Sequence, residues 1–241
     1  MIAFEDAPQD VKDKYIRLAS SFGGNDAPDS GPSIELIASQ LYAVQEKHGL
    51  SKYKKANFPE KFMNKQREWA KEKGTEDMTK AIIDYAEDLQ NNLSTGKNLI
   101  VIGKTPGTGK TRSVCYVLKA AIDCGLSCFF VPDNELANCL SDEDFDNADY
   151  RRTECHRLAH IDFFVIDDLG AGKWSDKGVN RLYTILNERY NNNRPTAATG
   201  NYKDFAEMQS ACGERLFSRL SENSVMAINT STVDYRLKDN L

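Results

Sequence analysis

The stretch Asn98–Thr111, NLIVIGKTPGTGKT, constrains the fold more than any other part of this chain. A short apolar run, Leu99–Ile102, breaks into a turn with glycines at 103, 107 and 109 and closes on Gly-Lys-Thr. Apolar runs of this length read as strands buried on both faces, and the residues after Gly109 read as a helix. In such a strand–loop–helix the N–H groups of Gly107, Thr108, Gly109 and Lys110 can close around a phosphate chain, because glycines let the backbone approach. The helix beginning near Lys110 directs its partial positive end at the same anion. Lys110 adds a mobile full charge for terminal phosphates, and the Thr111 hydroxyl suits Mg2+. The candidate nucleotide-binding residues are Thr105, Pro106, Gly107, Thr108, Gly109, Lys110, Thr111 and Arg112. One departure stands out: the usual spacing places a glycine five residues before Gly109, where this chain has Lys104, with Gly103 one step upstream.

A second motif gives the loop a partner. Phe163–Asp168, FFVIDD, is four apolar residues capped by two aspartates, the pattern of a core strand with acids at its carboxyl end. On its own it reads better as a solvated acidic turn after a core strand. With the glycine loop upstream, Asp167 is the expected Mg2+ ligand, through water, and Asp168 the residue that orients or activates an attacking water. Asp168 is one methylene shorter than glutamate, so slow hydrolysis of ATP is expected.

Composition bounds the rest. The 241 residues suffice for one core plus a small accessory region, and the 40% hydrophobic and 28% charged content is that of a water-soluble globular chain. No run approaches membrane-spanning length and the start, MIAFEDAPQD, is acidic, which predicts a cytoplasmic protein without membrane contact. Six scattered cysteines fit free thiols. Cys155, His156 and His160 fall near one helical face, yet without a paired CxxC a zinc site is the weaker reading. A net charge of −5 argues against broad, sequence-independent duplex binding, so any nucleic-acid contact needs a local patch.

Residues 1–50 read as a helical partner-binding region and 51–241 as the nucleotide-binding domain. A short helix is predicted over 10–20, with Val11, Tyr15 and Leu18 on one side. A Gly/Pro/Asp/Ser-rich linker follows at 22–33. A second helix, capped by Ser33 and ended by Gly49, carries the stripe Ile34, Ile37, Leu41 and Val44. That stripe either packs on the larger domain or docks into a partner's groove. Lys52–Lys73 has eight basic and three acidic residues interleaved with Tyr53, Phe58, Phe62 and Trp69. Single-strand binding by stacking is one reading; aromatics packed on the core with solvated lysines is the preferred one. A helix over Glu76–Leu93 leads into strands at Leu99–Gly103, Ser127–Val131, Asp162–Ile166, Pro195–Thr199 and Val225–Asn229. Helices fill the intervals, notably Thr111–Cys124 and Lys177–Asn191. The alternation predicts an α/β fold, a five-stranded parallel sheet between helices, with the glycine loop at its carboxyl edge.

The later residues narrow the class. RPTAATGNY (Arg194–Tyr202), GERLFSRL (Gly213–Leu220) and VDYR, ending at Arg236, follow IGKTPGTGKT and VIDDLG in order. The set resembles the AAA+ ATPases of the DnaC type, bacterial loaders of the replicative helicase, and their IstB-type transposition relatives. YKKANFPEKF looks like the lead-in of that family. The resemblance covers about Lys52 to Leu241. It implies a P-loop AAA+ core, here without a full helical lid, since five residues follow Arg236. It also implies ATP and Mg2+ as cofactors and Asn201 as the sensor of the terminal phosphate, with Gly200 where the family usually has Ser or Thr. Arg219 would be an arginine finger acting in trans, which requires self-association, with Arg215 supporting or replacing it and Arg236 as a second sensor. The partners implied are the hexameric replicative helicase, through the N-terminal region, and single-stranded DNA. Asn64-Lys65 is not followed by the aspartate of a guanine-specificity motif, and no transporter signature or basic helix–turn–helix appears. A small-molecule P-loop kinase is a third reading, with no acceptor site to support it.

Overall fold

The computed structural model describes residues 5, 9–22, 38–39, 50–63, 74–141 and 148–235. The linker at 22–33 and the second N-terminal helix lie almost entirely outside these residues, as do 64–73, with Trp69, and Arg236. The chain divides into two compact units, Met1–Lys54 and Lys55–Leu241. The first contributes the helix Gln9–Phe22. No helix among the described residues is long and apolar enough to cross a membrane.

The second unit is a five-stranded parallel sheet, β1 (Asn98–Ile102), β2 (Cys128–Pro132), β3 (Phe163–Asp167), β4 (Thr196–Gly200) and β5 (Ser224–Ile228), in the order β2-β3-β4-β1-β5. Each strand begins and ends within one residue of its sequence expectation. The central strands β1 and β4 are buried along their whole length, so, Asn98 apart, every residue and not every second one is apolar or small. One core joins Ile100, Ile102, Phe164, Ile166 and Ala198 of the sheet to Leu182, Ile185 and Leu186 of the helix Asp176–Asn191. The outer edge of β2 is partly covered: the Phe130 N–H donates to the Ala56 carbonyl (2.8 Å) and the Asn57 amide to the Phe130 carbonyl (3.0 Å). Phe58 is buried nearby in the chain, in line with aromatics of this segment packing on the core.

The single helix expected over Glu76–Leu93 is instead two, Glu76–Glu87 and Leu89–Ser94, broken at Asp88. The buried Asn92 side chain donates to the Tyr85 carbonyl (3.0 Å), and Asn91 donates to the Asp88 carboxylate (2.8 Å). Side-chain amides thus replace the helical ladder at the break. A buried Arg189 staples the far end of the sheet. Its guanidinium donates to the carbonyls of Leu158, Ile161 and Pro195 and to the Thr196 hydroxyl at 2.6–3.0 Å. Leu158 and Ile161 lie at the negative end of the helix Ala148–His160, which favours a cation there although burial lowers its proton affinity.

Candidate functional site

The carboxyl ends of β1, β3 and β4 meet at one place, with β4 between the other two. The glycine loop leaves β1 and enters the helix Lys110–Asp123 through Gly109, whose φ of +95° is open to glycine but strained for other residues. Gly107 has φ +71°. N–H groups that face an anion leave their carbonyls pointing away, and these carbonyls need partners of their own. The Thr105 carbonyl accepts from the Thr108 hydroxyl (3.1 Å) and the Lys110 ammonium (2.8 Å). The Gly107 carbonyl accepts from the Tyr235 N–H (3.1 Å), and the Thr108 carbonyl from the Asn229 amide (2.8 Å). The loop is therefore held from behind by the segment after β5, which places Tyr235 against it; Arg236 lies outside the described residues.

The same packing explains the displaced glycine. A Cβ on Gly103 would meet the Asn229 carbonyl oxygen at 2.5 Å, so glycine is required where β1 and Asn229 touch. Position 104 is exposed and tolerates lysine.

Thr111 and Asp167 come together: hydrogen bonding from the Thr111 hydroxyl and from Thr199 holds the Asp167 carboxyl down, while burial, the larger effect, pushes it up. The Thr199 hydroxyl donates to Asp167 (2.6 Å) and accepts the Asp168 N–H (2.8 Å), a bridge between the paired acids that the sequence reading missed. Asp168 has φ +58°, and its carboxylate accepts from the Asn201 amide. Gly200 is explained as well, since a Cβ there would lie 2.6 Å from the Tyr202 ring. Tyr202 packs over it and donates to the Leu169 carbonyl (2.8 Å).

Arg112 places its guanidinium 6.0 Å from the centre of the Phe62 ring, and the charge of Lys61 reaches Asp167 and helps to hold its proton affinity down. Lys61 was expected merely to be solvated; it is exposed, yet the single turn Glu60–Phe62 brings it near the acids. Thr111, an uncharged hydroxyl, and Asp167, a carboxylate, are hard oxygen donors in contact, a set that fits Mg2+.

Arg215 and Arg219 share the helix Glu214–Ser221 and rest on two tyrosines of the helix Asp176–Asn191. Arg215 stacks 4.1 Å from the Tyr183 ring centre and Arg219 4.9 Å from that of Tyr190. Arg219 also donates to the Asn187 side chain (2.8 Å) and lies 3.8 Å from Glu222, which accepts from the Tyr190 hydroxyl (2.6 Å). These arginines belong to a separate cluster from the acids and the glycine loop. All six cysteines are free thiols. His156 and His160 stack on each other at 4.0 Å, and His160 pairs with Glu188 rather than with Cys155. Among the described residues no three His, Cys, Asp or Glu side chains converge as a metal cluster.

The architecture is that of known replication proteins. The structure superposes on the DnaC helicase loader with a TM-score of 0.61 at 24% identity, covering 71% of this chain and 100% of that one. DnaI gives 0.56 at 21%, covering 72% of this chain and 92% of that one. The replication initiator DnaA bound to AMPPCP and single-stranded DNA gives 0.57 at 16%, covering 71% of this chain but 50% of that one. At these identities the likeness is one of fold. No curated protein matches the sequence. The family model of the IstB-like ATP binding protein matches residues 74–220, which run from ahead of the glycine loop to the end of the GERLFSRL run. That match spans more than half of the 241 residues, and the chain belongs to the IstB-like ATP-binding family, the DnaC/IstB-like branch of the AAA+ fold.

Proposed function

We propose that this protein is an ATP-hydrolysing loader that delivers a hexameric replicative helicase to single-stranded DNA, with slow hydrolysis as its switch. The observation that carries the reading is the joining of a preorganised phosphate loop to two bridged acids on neighbouring strand ends. The coverage of the whole of the DnaC helicase loader structure supports the choice of process.

In this reading the N–H groups of residues 107–110 bind the phosphate chain, and Lys110 leaves the Thr105 carbonyl to meet the terminal phosphates. Thr111 and Asp167 would hold Mg2+, whose bound charge offsets that of the phosphates. Thr199 donates to Asp167 and favours its ionised form, against the burial that raises its proton affinity. Asp168 accepts a proton from the attacking water at its carboxylate, and Asn201, its present partner, turns to the terminal phosphate. Arg219 reaches into the site of a neighbouring subunit, with Arg215 beside it and Arg236 as a second sensor. Residues 1–50 grip the helicase, in the cytoplasm.

A second reading, an IstB-like transposition ATPase recruiting a transposase to DNA, is supported by the match to the IstB-like family model. Deleting residues 1–50 discriminates. The loader reading predicts loss of helicase delivery to single-stranded DNA with ATP turnover retained. Unchanged delivery would contradict it, and ATP-dependent filaments on duplex DNA would favour the second reading.

A further inference from the structure

The loop that follows the paired acids is pinned with unusual completeness. Five consecutive N–H groups, from Asp168 to Gly172, all have partners. Asp168 donates to the Thr199 hydroxyl (2.8 Å), Leu169 to the Thr199 carbonyl (2.8 Å), and Ala171 back to the Asp168 carbonyl (3.0 Å). The other two, Gly170 (2.9 Å) and Gly172 (2.8 Å), donate to one oxygen of Asp133. The Trp174 indole N–H reaches the same carboxylate at 3.2 and 3.3 Å.

Asp133 is the first residue after β2 and opens the helix Asp133–Ser141. Its side chain is wholly buried, a costly place for a carboxylate unless its bonds matter. The glycines it holds cannot be replaced without moving the loop. A Cβ on Gly170, already at φ +98°, would lie 1.9 Å from the Tyr202 hydroxyl. One on Gly172 would lie 2.8 Å from both the Ala137 Cβ and the Asp133 carbonyl oxygen. The loop is thus clamped between Tyr202 on one side and the helix that Asp133 opens on the other. At its start stands Asp168, with its left-handed backbone, φ +58°. A left-handed conformation at a residue other than glycine persists only where the surroundings enforce it. Thr199 fixes Asp168 from the β4 side, Asn201 and Tyr202 hold its carboxylate and the Leu169 carbonyl, and Asp133 anchors the N–H groups of the far half of the loop.

We propose that Asp133 is a positioning residue for ATP hydrolysis: its buried carboxylate locks residues 170–174 and thereby aims Asp168 at the attacking water. The role deepens the ATPase reading above and rests on it. Asp133 bonds the backbone of the loop and not the phosphate loop, so it acts on the chemical step and leaves nucleotide affinity alone. It also makes the helix Asp133–Ser141 a mechanical neighbour of the catalytic acid. A force on that helix moves the Asp168 backbone, whereas the phosphate loop hangs on β1 and the segment after β5.

The test uses the full chain, single-turnover ATP hydrolysis and the binding of a fluorescent ATP analogue. In Asp133→Asn an amide NH2 must face either a backbone N–H or the indole N–H, and hydrolysis is expected to fall by about ten- to a hundredfold while the Kd stays within about twofold. Gly172→Ala pushes the loop and the Asp133 carboxylate apart without changing the carboxylate's chemistry, and the same signature is expected; it carries the test if Asp133→Asn does not melt cooperatively. A folded Asp133→Asn that hydrolyses ATP at the wild-type rate overturns the proposal. So does a parallel loss of binding and hydrolysis, the mark of a merely structural role. If the wild type binds ATP and does not hydrolyse it, the ATPase reading is what fails. Trp174 emission in a Trp69→Phe background then decides: a response to ATP and Mg2+ that is lost in Asp133→Asn at unchanged Kd sustains the coupling, and a response that persists overturns it.

Discussion

Replacing Asn229 with alanine isolates the part of the site that the sequence hid. Asn229 is 2% exposed. Its amide donates to the Thr108 carbonyl (2.8 Å) and contacts the Met78 sulfur (3.4 Å), while its oxygen accepts from the Ser231 N–H (2.9 Å). The alanine variant leaves one buried carbonyl in the phosphate loop and one buried N–H behind it without partners, each costing about 1–3 kcal/mol. Part of that cost falls on the whole fold, and a loss of about 2 kcal/mol lowers the melting temperature by about 4–8 °C in a unit of this size. The rest loosens the loop before nucleotide arrives, and about 1.4 kcal/mol of lost preorganisation weakens binding tenfold. Hydrolysis of the bound nucleotide should change by less than about twofold, because Asp167 and Asp168 are fixed by β3, β4 and Thr199. Equilibrium binding of a fluorescent ATP analogue, with single-turnover hydrolysis at saturation, measures both. Unchanged affinity in the folded variant would refute the reasoning, and so would a slower chemical step at unchanged affinity.

Thr199→Val should slow hydrolysis by about tenfold or more, since the Asp168 N–H loses its partner and Asp167 a donor, whereas Thr199→Ser should retain the rate in the same single-turnover assay. Arg189→Met strands the Leu158 and Ile161 carbonyls at the far end of the sheet and should cost about 3–5 kcal/mol in urea unfolding, with nucleotide affinity unchanged below the transition. Arg219→Ala and Lys110→Ala should each abolish turnover alone, while an equimolar mixture regains about a quarter of the wild-type rate, the share of randomly formed interfaces with one intact site and one intact finger. Burial raises the Asp133 carboxyl above its ordinary value near 3.8, so the folded chain binds a proton there more tightly than the unfolded chain does. The stability linked to this group is complete below about pH 4 and is lost as pH rises through the raised value. Urea unfolding from pH 4 to 7 should therefore show the wild type losing stability relative to Asp133→Asn as pH rises, and the opposite slope would refute the assignment.

What could be read from the chain is what local sequence encodes. The five strands were legible because strands buried on both faces read as short uninterrupted runs such as Leu99–Ile102 and Phe163–Ile166. Lys110, Thr111, Asp167 and Asp168 were legible because a phosphate loop and an acid-capped strand are contiguous motifs. The remainder of the site consists of pairs far apart in the chain: Thr199 with Asp167 at a separation of 32, Asp133 with Gly172 at 39, Asn229 with Thr108 at 121. A threonine, an aspartate or an asparagine at a strand end has no marker in one sequence for which distant backbone it will meet. The break at Asp88 escaped for a related reason. The apolar periodicity continues across it, and only the Asn92 amide turning back to Tyr85 interrupts the ladder. Lys61 escaped because a lysine in a basic run is more often solvated than aimed at an acid.

The central claim is tested most directly by co-migration of this protein with the hexameric replicative helicase of its host on size exclusion, with ATP and without. The account predicts a stable complex that is lost when residues 1–50 are deleted and that loses its ATP dependence in Lys110→Ala. Absence of any complex under every nucleotide condition, with the wild type folded and binding ATP, would contradict it.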